Sequence, residues 1–266
     1  MATALDTANP RYSNADAQMV QATITTPRLE LRPLSPAHAE LLVELNSDPA
    51  VTRYVHSGRP LTREEALADH AERLAAAEAV SGLGYWMGFD RATGEAVGWW
   101  ALTPVLPSPS AAPGPSRTSD GGDGSTERRF EAEEPGSSSA SRVAAALVGT
   151  TPAEGFRAEL GYRLFQRHWR KGLAKEGGRA LVRHGFTTGL YVREAYGETM
   201  AVNEASRATM AACGLGYRRT FHLSFQVGEG DEVIPGTEEG EVEYAVGRDE
   251  WLAWDDAMAI RDEGRM

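Results

Sequence analysis

The segment Glu159-Leu160-Gly161-Tyr162-Arg163-Leu164-Phe165-Gln166-Arg167-His168-Trp169-Arg170-Lys171-Gly172-Leu173-Ala174-Lys175-Glu176 runs from a strand through a basic turn into a helix. Glu159–Phe165 predicts the strand. Gly172–Thr188 predicts the helix, with Ala174, Leu181, Val182 and Phe186 among its apolar positions. A helix start leaves backbone N–H groups without partners, and the helix dipole favours an anion there. Gly172 lets a ligand approach the backbone and Ala174 adds little bulk. Arg170, Lys171 and Lys175 concentrate positive charge in an otherwise acidic chain. Together these features compose a pyrophosphate cradle. It is neither a GxxxxGK[ST] loop nor a GxGxxG fingerprint.

Downstream, Tyr191–Val202 predicts a strand and Asn203–Cys213 a helix, stopped by Gly214-Leu215-Gly216. Tyr217–Val227 and Val242–Val246 predict strands paired across an acidic loop, and Glu250–Ile260 a last helix. Upstream, Thr23–Leu34 alternates, with Leu29 and Leu31 on one side and Arg28, Glu30 and Arg32 on the other. It predicts one half-buried strand. Ser35-Pro36 then opens a helix carrying Leu41, Leu42 and Leu45, which ends near Ser47-Asp48-Pro49. Thr62-Arg63-Glu64-Glu65 is a capping box that starts a helix to about Ala79. Gly84–Phe89 and Glu95–Leu102 form a hairpin about the Arg91–Gly94 turn, and alternation sends Trp99 and Trp100 to opposite faces.

The composition changes from Pro107 to Ser141. These 35 residues hold 5 Pro, 5 Gly and 9 Ser, with Phe130 the only aromatic. Such a stretch buries too little apolar surface to offset the entropy of ordering it. It reads as a disordered insertion within one domain spanning 21–261, because neither flank closes a core alone. Residues 1–20 read as a flexible tail, and Arg142–Val148 as a return to extended structure.

The whole chain has 266 residues, 41% hydrophobic and 24% charged, which suits a single globular α/β (α+β) domain. A net charge of −11 argues against a nucleic-acid partner, since backbone binding needs a basic surface. Cys213 is the only cysteine, so neither a disulfide nor a cysteine-based metal site is expected. The six histidines show no metal-ligand spacing. The sequence has no window of 18 apolar residues and no signal-peptide pattern at its start, so no membrane association is expected. The cytoplasm is the expected compartment.

The central segment resembles the coenzyme loop of the GCN5-related N-acetyltransferases (GNAT), written [RQ]-x-x-G-x-[GA]. Gly172 and Ala174 match it, and Trp169 stands in the Arg/Gln place, as in the ribosomal-protein N-terminal (RimJ/RimL) branch. Thr26-Pro27-Arg28-Leu29-Glu30-Leu31-Arg32, Asn203-Glu204-Ala205-Ser206 leading to Cys213-Gly214-Leu215-Gly216-Tyr217, and Glu243-Tyr244-Ala245-Val246 before Asp249-Glu250-Trp251 extend the resemblance over roughly 23–254. It implies a mixed, mostly antiparallel central sheet, splayed at strands 4/5 and flanked by helices. It also implies acetyl-CoA as co-substrate. It further implies a primary amine as the acceptor, on a protein N-terminus or a small molecule, and a monomer or homodimer as the expected state.

The resemblance places the coenzyme against Trp169, Arg170, Lys171, Gly172, Leu173, Ala174 and Lys175. Backbone groups of Leu164 and Phe165 would pair with the pantetheine arm. An acceptor amine must lose a proton, and Glu159 is the candidate base, directly or through water; the competing reading is a solvated strand residue. Asn203 is expected on the coenzyme arm or as a helix N-cap. Ser206 would contact coenzyme or protonate its thiolate, or simply pack. Relatives carry a tyrosine acid in this helix; here Met210 lies near that place, leaving the acid unassigned. Cys213 reads as a packing thiol. A catalytically silent coenzyme-binding scaffold is the alternative function, and an interaction protein acting through Pro107–Ser141 a third. Replacing Pro107–Ser141 with a short flexible linker is expected to leave the thermal melt within a few degrees; loss of the folded state would make the segment structural.

Overall fold

A computed structural model describes residues 21–55, 58–78, 82–105, 155–222 and 234–263. The expected tail, the Pro107–Ser141 insertion, Arg142–Val148 and the end of the Tyr217–Val227 strand lie outside the described residues.

Eight strands form one sheet: β1 Ile24–Thr25, β2 Leu29–Pro33, β3 Gly84–Asp90, β4 Ala96–Val105, β5 Phe156–Leu164, β6 Val192–Met200, β7 Gly216–Phe221 and β8 Glu241–Gly247. Their order is β1-β2-β3-β4-β5-β6-β8-β7, and every neighbouring pair is antiparallel except β5 with β6. The helices are α1 Ala39–Asn46, α2 Pro49–Thr52, α3 Arg63–Glu78, α4 Leu173–Thr187, α5 Glu204–Ala212 and α6 Arg248–Glu263.

The predicted single strand Thr23–Leu34 is two. Thr26–Leu29 closes a tight turn, with the Thr26 N–H donating to Leu29 O at 2.9 Å, and β1 folds back on β2. Pro27 fixes the turn backbone, which the unbroken alternation concealed. The capping box is present as expected: the Thr62 N–H donates to Glu65 at 2.8 Å and the Glu65 N–H to Thr62 Oγ1 at 3.2 Å. The last helix starts two residues earlier than predicted, at Arg248.

Two hydrophobic clusters cover the two sheet faces. Trp100, Leu160 and Leu164 join Leu181, Val182 and Phe186 of α4 and Trp251 of α6 on one face. Trp99, Met87 and Ala101 join Leu42 and Leu45 of α1 on the other. Trp99 and Trp100 are thus both core, on opposite faces as predicted.

The pairing of β5 with β6, which are the fourth and fifth of the expected strands because the first is split in two, stops halfway. It runs from Phe156 opposite Val192 to Glu159 opposite Tyr196. Beyond that point β5 continues to Leu164 on β4 alone, and β6 continues to Met200 on β8 alone. The sheet opens there into a cavity of about 900 Å³.

α4 lies close enough to the sheet to require glycine. A Cβ on Gly177 would stand 2.5 Å from Trp100 Cε2. That indole is fully buried, and its Nε1 donates to Ala174 O at 3.1 Å, so it has nowhere to go. In a free helix Gly→Ala gains about 1 kcal/mol; here overpacking costs about 1–3 kcal/mol and outweighs it. Gly177→Ala is expected to lower the melting temperature, and a melt unchanged or raised would contradict the close packing.

Candidate active site

The helix start is built to present bare backbone. Gly172 is the N-cap of α4 at φ +74°, a left-handed conformation that glycine adopts without strain, and no side chain caps the helix. Arg170, at φ +60°, takes the same unusual conformation. The first-turn amides of Leu173, Ala174 and Lys175 therefore have no acceptor within the helix. These three residues, with Gly172 and Arg170, line the cavity. Trp169 lines it too, and its indole Nε1 donates to Leu164 O at 2.8 Å, tying the turn back to the strand end.

Two predicted contacts fall elsewhere. The Phe165 N–H donates to Val97 O of β4 at 3.0 Å, so it is not open to the gap, and its ring packs in the cluster on the α1 side. By strand alternation Leu160, Tyr162 and Leu164 turn their backbone groups away from β4; the Leu160 N–H serves the last pairing with β6, so the open amides are those of Tyr162 and Leu164. Lys171 does not line the cavity; its carbonyl accepts from Arg28 Nη1 at 2.8 Å.

The same alternation splits the side chains of β5 between two faces. Leu160, Tyr162 and Leu164 point to the α4 face. Glu159, Gly161 and Arg163 point to the α1 face, opposite Thr103, Ala101 and Trp99 of β4. On the α4 face the Tyr162 hydroxyl lies 3.0 Å from Ser206 O and 3.1 Å from Ser206 Oγ. Burial pushes the Tyr162 phenol well above its ordinary value, so it stays protonated. Asn203 is the N-cap of α5. Its Oδ1 accepts from the Ser206 N–H at 3.2 Å, and its Nδ2 donates to Thr199 Oγ1 at 3.1 Å. Asn203, Ser206 and Tyr162 all line the cavity.

On the α1 face, Glu159 is half-buried in the cavity wall, and burial raises its pKa above the ordinary carboxylate range. Among the described residues no side chain hydrogen-bonds or pairs with its carboxylate. Nearby, Arg163 is buried and its Nη1 donates to Asn46 Oδ1; burial lowers its pKa to about 10. Arg73 lies 4.4 Å from the Trp99 ring centroid and 4.8 Å from that of Tyr85. Further along this face Glu241 is raised to about 7, first by burial and then by the charge of Glu198.

Met210, in the expected acid position, is buried at 1% exposure and supplies no proton. Tyr162 is the functional candidate that the sequence reading missed. Its signal was its parity within Glu159–Phe165, which sends it to the face opposite Glu159. Cys213 is fully buried, with its thiol pushed up to about 12 by burial, as a packing residue should be. Among the described residues no group of His, Cys, Asp and Glu is placed to hold a metal.

The chain matches the Acetyltransferase (GNAT) domain family over residues 28–114 and 124–216, and the break between the segments falls inside Pro107–Ser141. It is 38% identical over 232 residues to the FsC-acetyl coenzyme A-N(2)-transacetylase of Aspergillus fumigatus, covering 87% of this chain and 79% of that protein. Three solved structures share the fold. A GNAT-family acetyltransferase from Bacillus anthracis is 16% identical, with a TM-score of 0.52 over 86% of this chain and 99% of its own. RimL, a ribosomal L7/L12 α-N-protein acetyltransferase in complex with coenzyme A, is 16% identical, with a TM-score of 0.54 over 85% and 98%. Spermidine N-acetyltransferase from Vibrio cholerae, in complex with CoA and spermine, is 13% identical, with a TM-score of 0.55 over 85% and 99%. A family match across most of the chain and a relative at this identity together establish that the protein belongs to the GNAT acetyltransferase family and is an acetyltransferase.

Proposed function

We propose that the protein transfers the acetyl group of acetyl-CoA directly to the amine of a small molecule, the N(2) amine of FsC or a close analogue. The observation that carries this reading is the half-paired β5–β6 junction. One cavity reaches from the anion cradle of α4 to the carboxyl of Glu159 on the other sheet face. The acceptor class rests on the Aspergillus fumigatus relative, the 38% match. The RimJ/RimL resemblance in Trp169 supports the alternative of a protein N-terminus, and the assay below separates the two.

The residues divide the work by face. On the α4 face the amides of Leu173, Ala174 and Lys175 hold the pyrophosphate, with Arg170 and Lys175 adding charge. The Leu164 N–H, on the open edge of β5, receives a carbonyl of the pantetheine arm, and Asn203 flanks it. The thioester then lies in the gap. On the α1 face the amine enters beside Glu159, which takes its proton as nitrogen bonds to the carbonyl carbon. The carbon–sulfur bond breaks and the electron pair leaves on the thiolate. Ser206 Oγ, oriented by the protonated Tyr162 hydroxyl, stabilises that thiolate by a hydrogen bond. An α-amine, with a pKa of about 7.7–8.0, needs only a mild base, and a carboxyl with a raised pKa suits that task. A single domain over 21–261, interrupted by the Pro107–Ser141 insertion, accommodates all of these parts.

CoA thiol release from acetyl-CoA should be fastest with FsC, slower with spermidine, and slowest with a ribosomal L7/L12 N-terminal peptide. Preference for the peptide would move the acceptor to the protein N-terminus, and no release with any amine would favour a silent scaffold. Glu159→Gln should bind acetyl-CoA like the parent and lose about 10²–10⁴-fold in rate near neutral pH. The loss should shrink as the amine deprotonates unaided. The stability effect has the opposite sign. The folded state holds the Glu159 proton more tightly than the unfolded chain does. Stability therefore falls as pH rises from the ordinary carboxylate value through the raised one. Above that window Glu159→Gln should melt higher than the parent; a variant with full rate at pH 7 would remove Glu159 as base.

A further inference from the structure

Glu176 sits in the first turn of α4, beside the amides that would receive a diphosphate. An uncancelled anion there would repel the ligand. The chain cancels it from the distant turn between β1 and β2. Arg28, 148 residues earlier, donates from its N–H to Glu176 Oε1 at 2.8 Å and from Nε to Oε2 at 2.6 Å. Thr26 Oγ1 adds a third donor to Oε1 at 2.6 Å. Burial pushes the Glu176 pKa up, but these three hydrogen bonds and the Arg28 charge together hold it below the ordinary value.

Arg28 also reaches the turn itself. Its Nη1 donates to Lys171 O at 2.8 Å, and its Nη2 lies 3.5 Å from where a Gly172 Cβ would stand. The Lys171 carbonyl and the Gly172 N–H belong to one planar trans peptide and point in opposite directions. Holding the carbonyl outward therefore fixes the Gly172 N–H on the other side of that peptide. The peptide is flanked by Arg170 at φ +60° and Gly172 at φ +74°, a turn that local preference alone does not specify. The Arg28 turn is anchored independently: Arg91 Nη1 donates to Thr26 O at 2.8 Å and to Pro27 O at 3.1 Å, and the Arg91 N–H to Arg28 O at 2.9 Å.

We propose that Arg28 is a positioning residue for the coenzyme: through Glu176 and the Lys171 carbonyl it neutralises the first turn of α4 and orients the Gly172 N–H towards the pyrophosphate. This rests on the coenzyme reading above. Its side chain is half exposed and its turn is braced by Arg91, so Arg28→Met should fold.

The test is calorimetric titration of acetyl-CoA into the parent, Arg28→Met, Glu176→Gln and the double variant, beside steady-state kinetics. Arg28→Met should weaken binding about tenfold or more, with the loss in KM for acetyl-CoA and kcat at saturating coenzyme unchanged. Glu176→Gln keeps one oxygen to accept from Thr26 Oγ1 and the Arg28 N–H, loses the acceptor for Arg28 Nε and removes the charge, and should bind within about threefold of the parent. The double variant should bind tighter than Arg28→Met alone, because the bare carboxylate is gone; a purely structural brace would give no such recovery. Arg28→Lys keeps the charge without the fork that reaches Glu176 and Lys171 together, and should fall between parent and Arg28→Met. Parent-like binding by Arg28→Met, or a double variant no better than it, would overturn the proposal. A parent that does not bind acetyl-CoA would overturn the coenzyme reading first and this inference with it.

Discussion

Two parallel strands that part company after Glu159 and Tyr196 hold the key to this molecule. A strand edge left without a partner carries unpaired amides and carbonyls, and such groups need water or a ligand. β5 is fixed along one edge by β4 and β6 by β8, so neither can close the gap without tearing a ladder. The open junction is therefore built into the sheet. It leaves a passage between two faces that are otherwise sealed by separate hydrophobic clusters. The uncapped start of α4 lies at one end of this passage and the half-buried carboxyl of Glu159 at the other.

The two ends differ in their electrostatics. At the α4 end, the first-turn carboxylate of Glu176 is clamped by Thr26 and Arg28. At the α1 end, Glu159 is left without a side-chain partner among the described residues, and burial raises its pKa. Clamping Glu176 offsets the negative charge of the first turn of α4. Burial of Glu159 without such a partner disfavours its charged form, which costs stability once it ionises. In the proposed mechanism, function and stability pull apart at that residue.

The sequence carried the local features well and the long-range ones poorly. Gly172, Ala174 and their basic neighbours announce a helix start open to an anion because that property is set within a few residues. The Thr62 capping box and the Asn203 N-cap are legible for the same reason. The β1–β2 reversal was hidden because alternation ran straight through Thr26–Arg28, although Pro27 marked the turn. The Arg28–Glu176 clamp joins residues 148 positions apart and leaves no local trace. Phe165 shows a subtler failure. Alternation decides which edge of a strand each amide faces, and only the observed register, with the Phe165 N–H on Val97 O, shows that its own is taken. Tyr162 was visible as a residue but not as a partner, since Ser206 meets it across 44 positions.

Amide hydrogen exchange with and without acetyl-CoA tests the central claim, that coenzyme occupies the open β5–β6 junction, most directly. The account predicts slowed exchange at the gap-facing Tyr162 and Leu164 amides and at Gly172–Lys175. Amides of β5 that already bond to β4 should be little changed. Protection concentrated instead at the separate cavity around Gly189–Arg193, at the far end of α4, would contradict it.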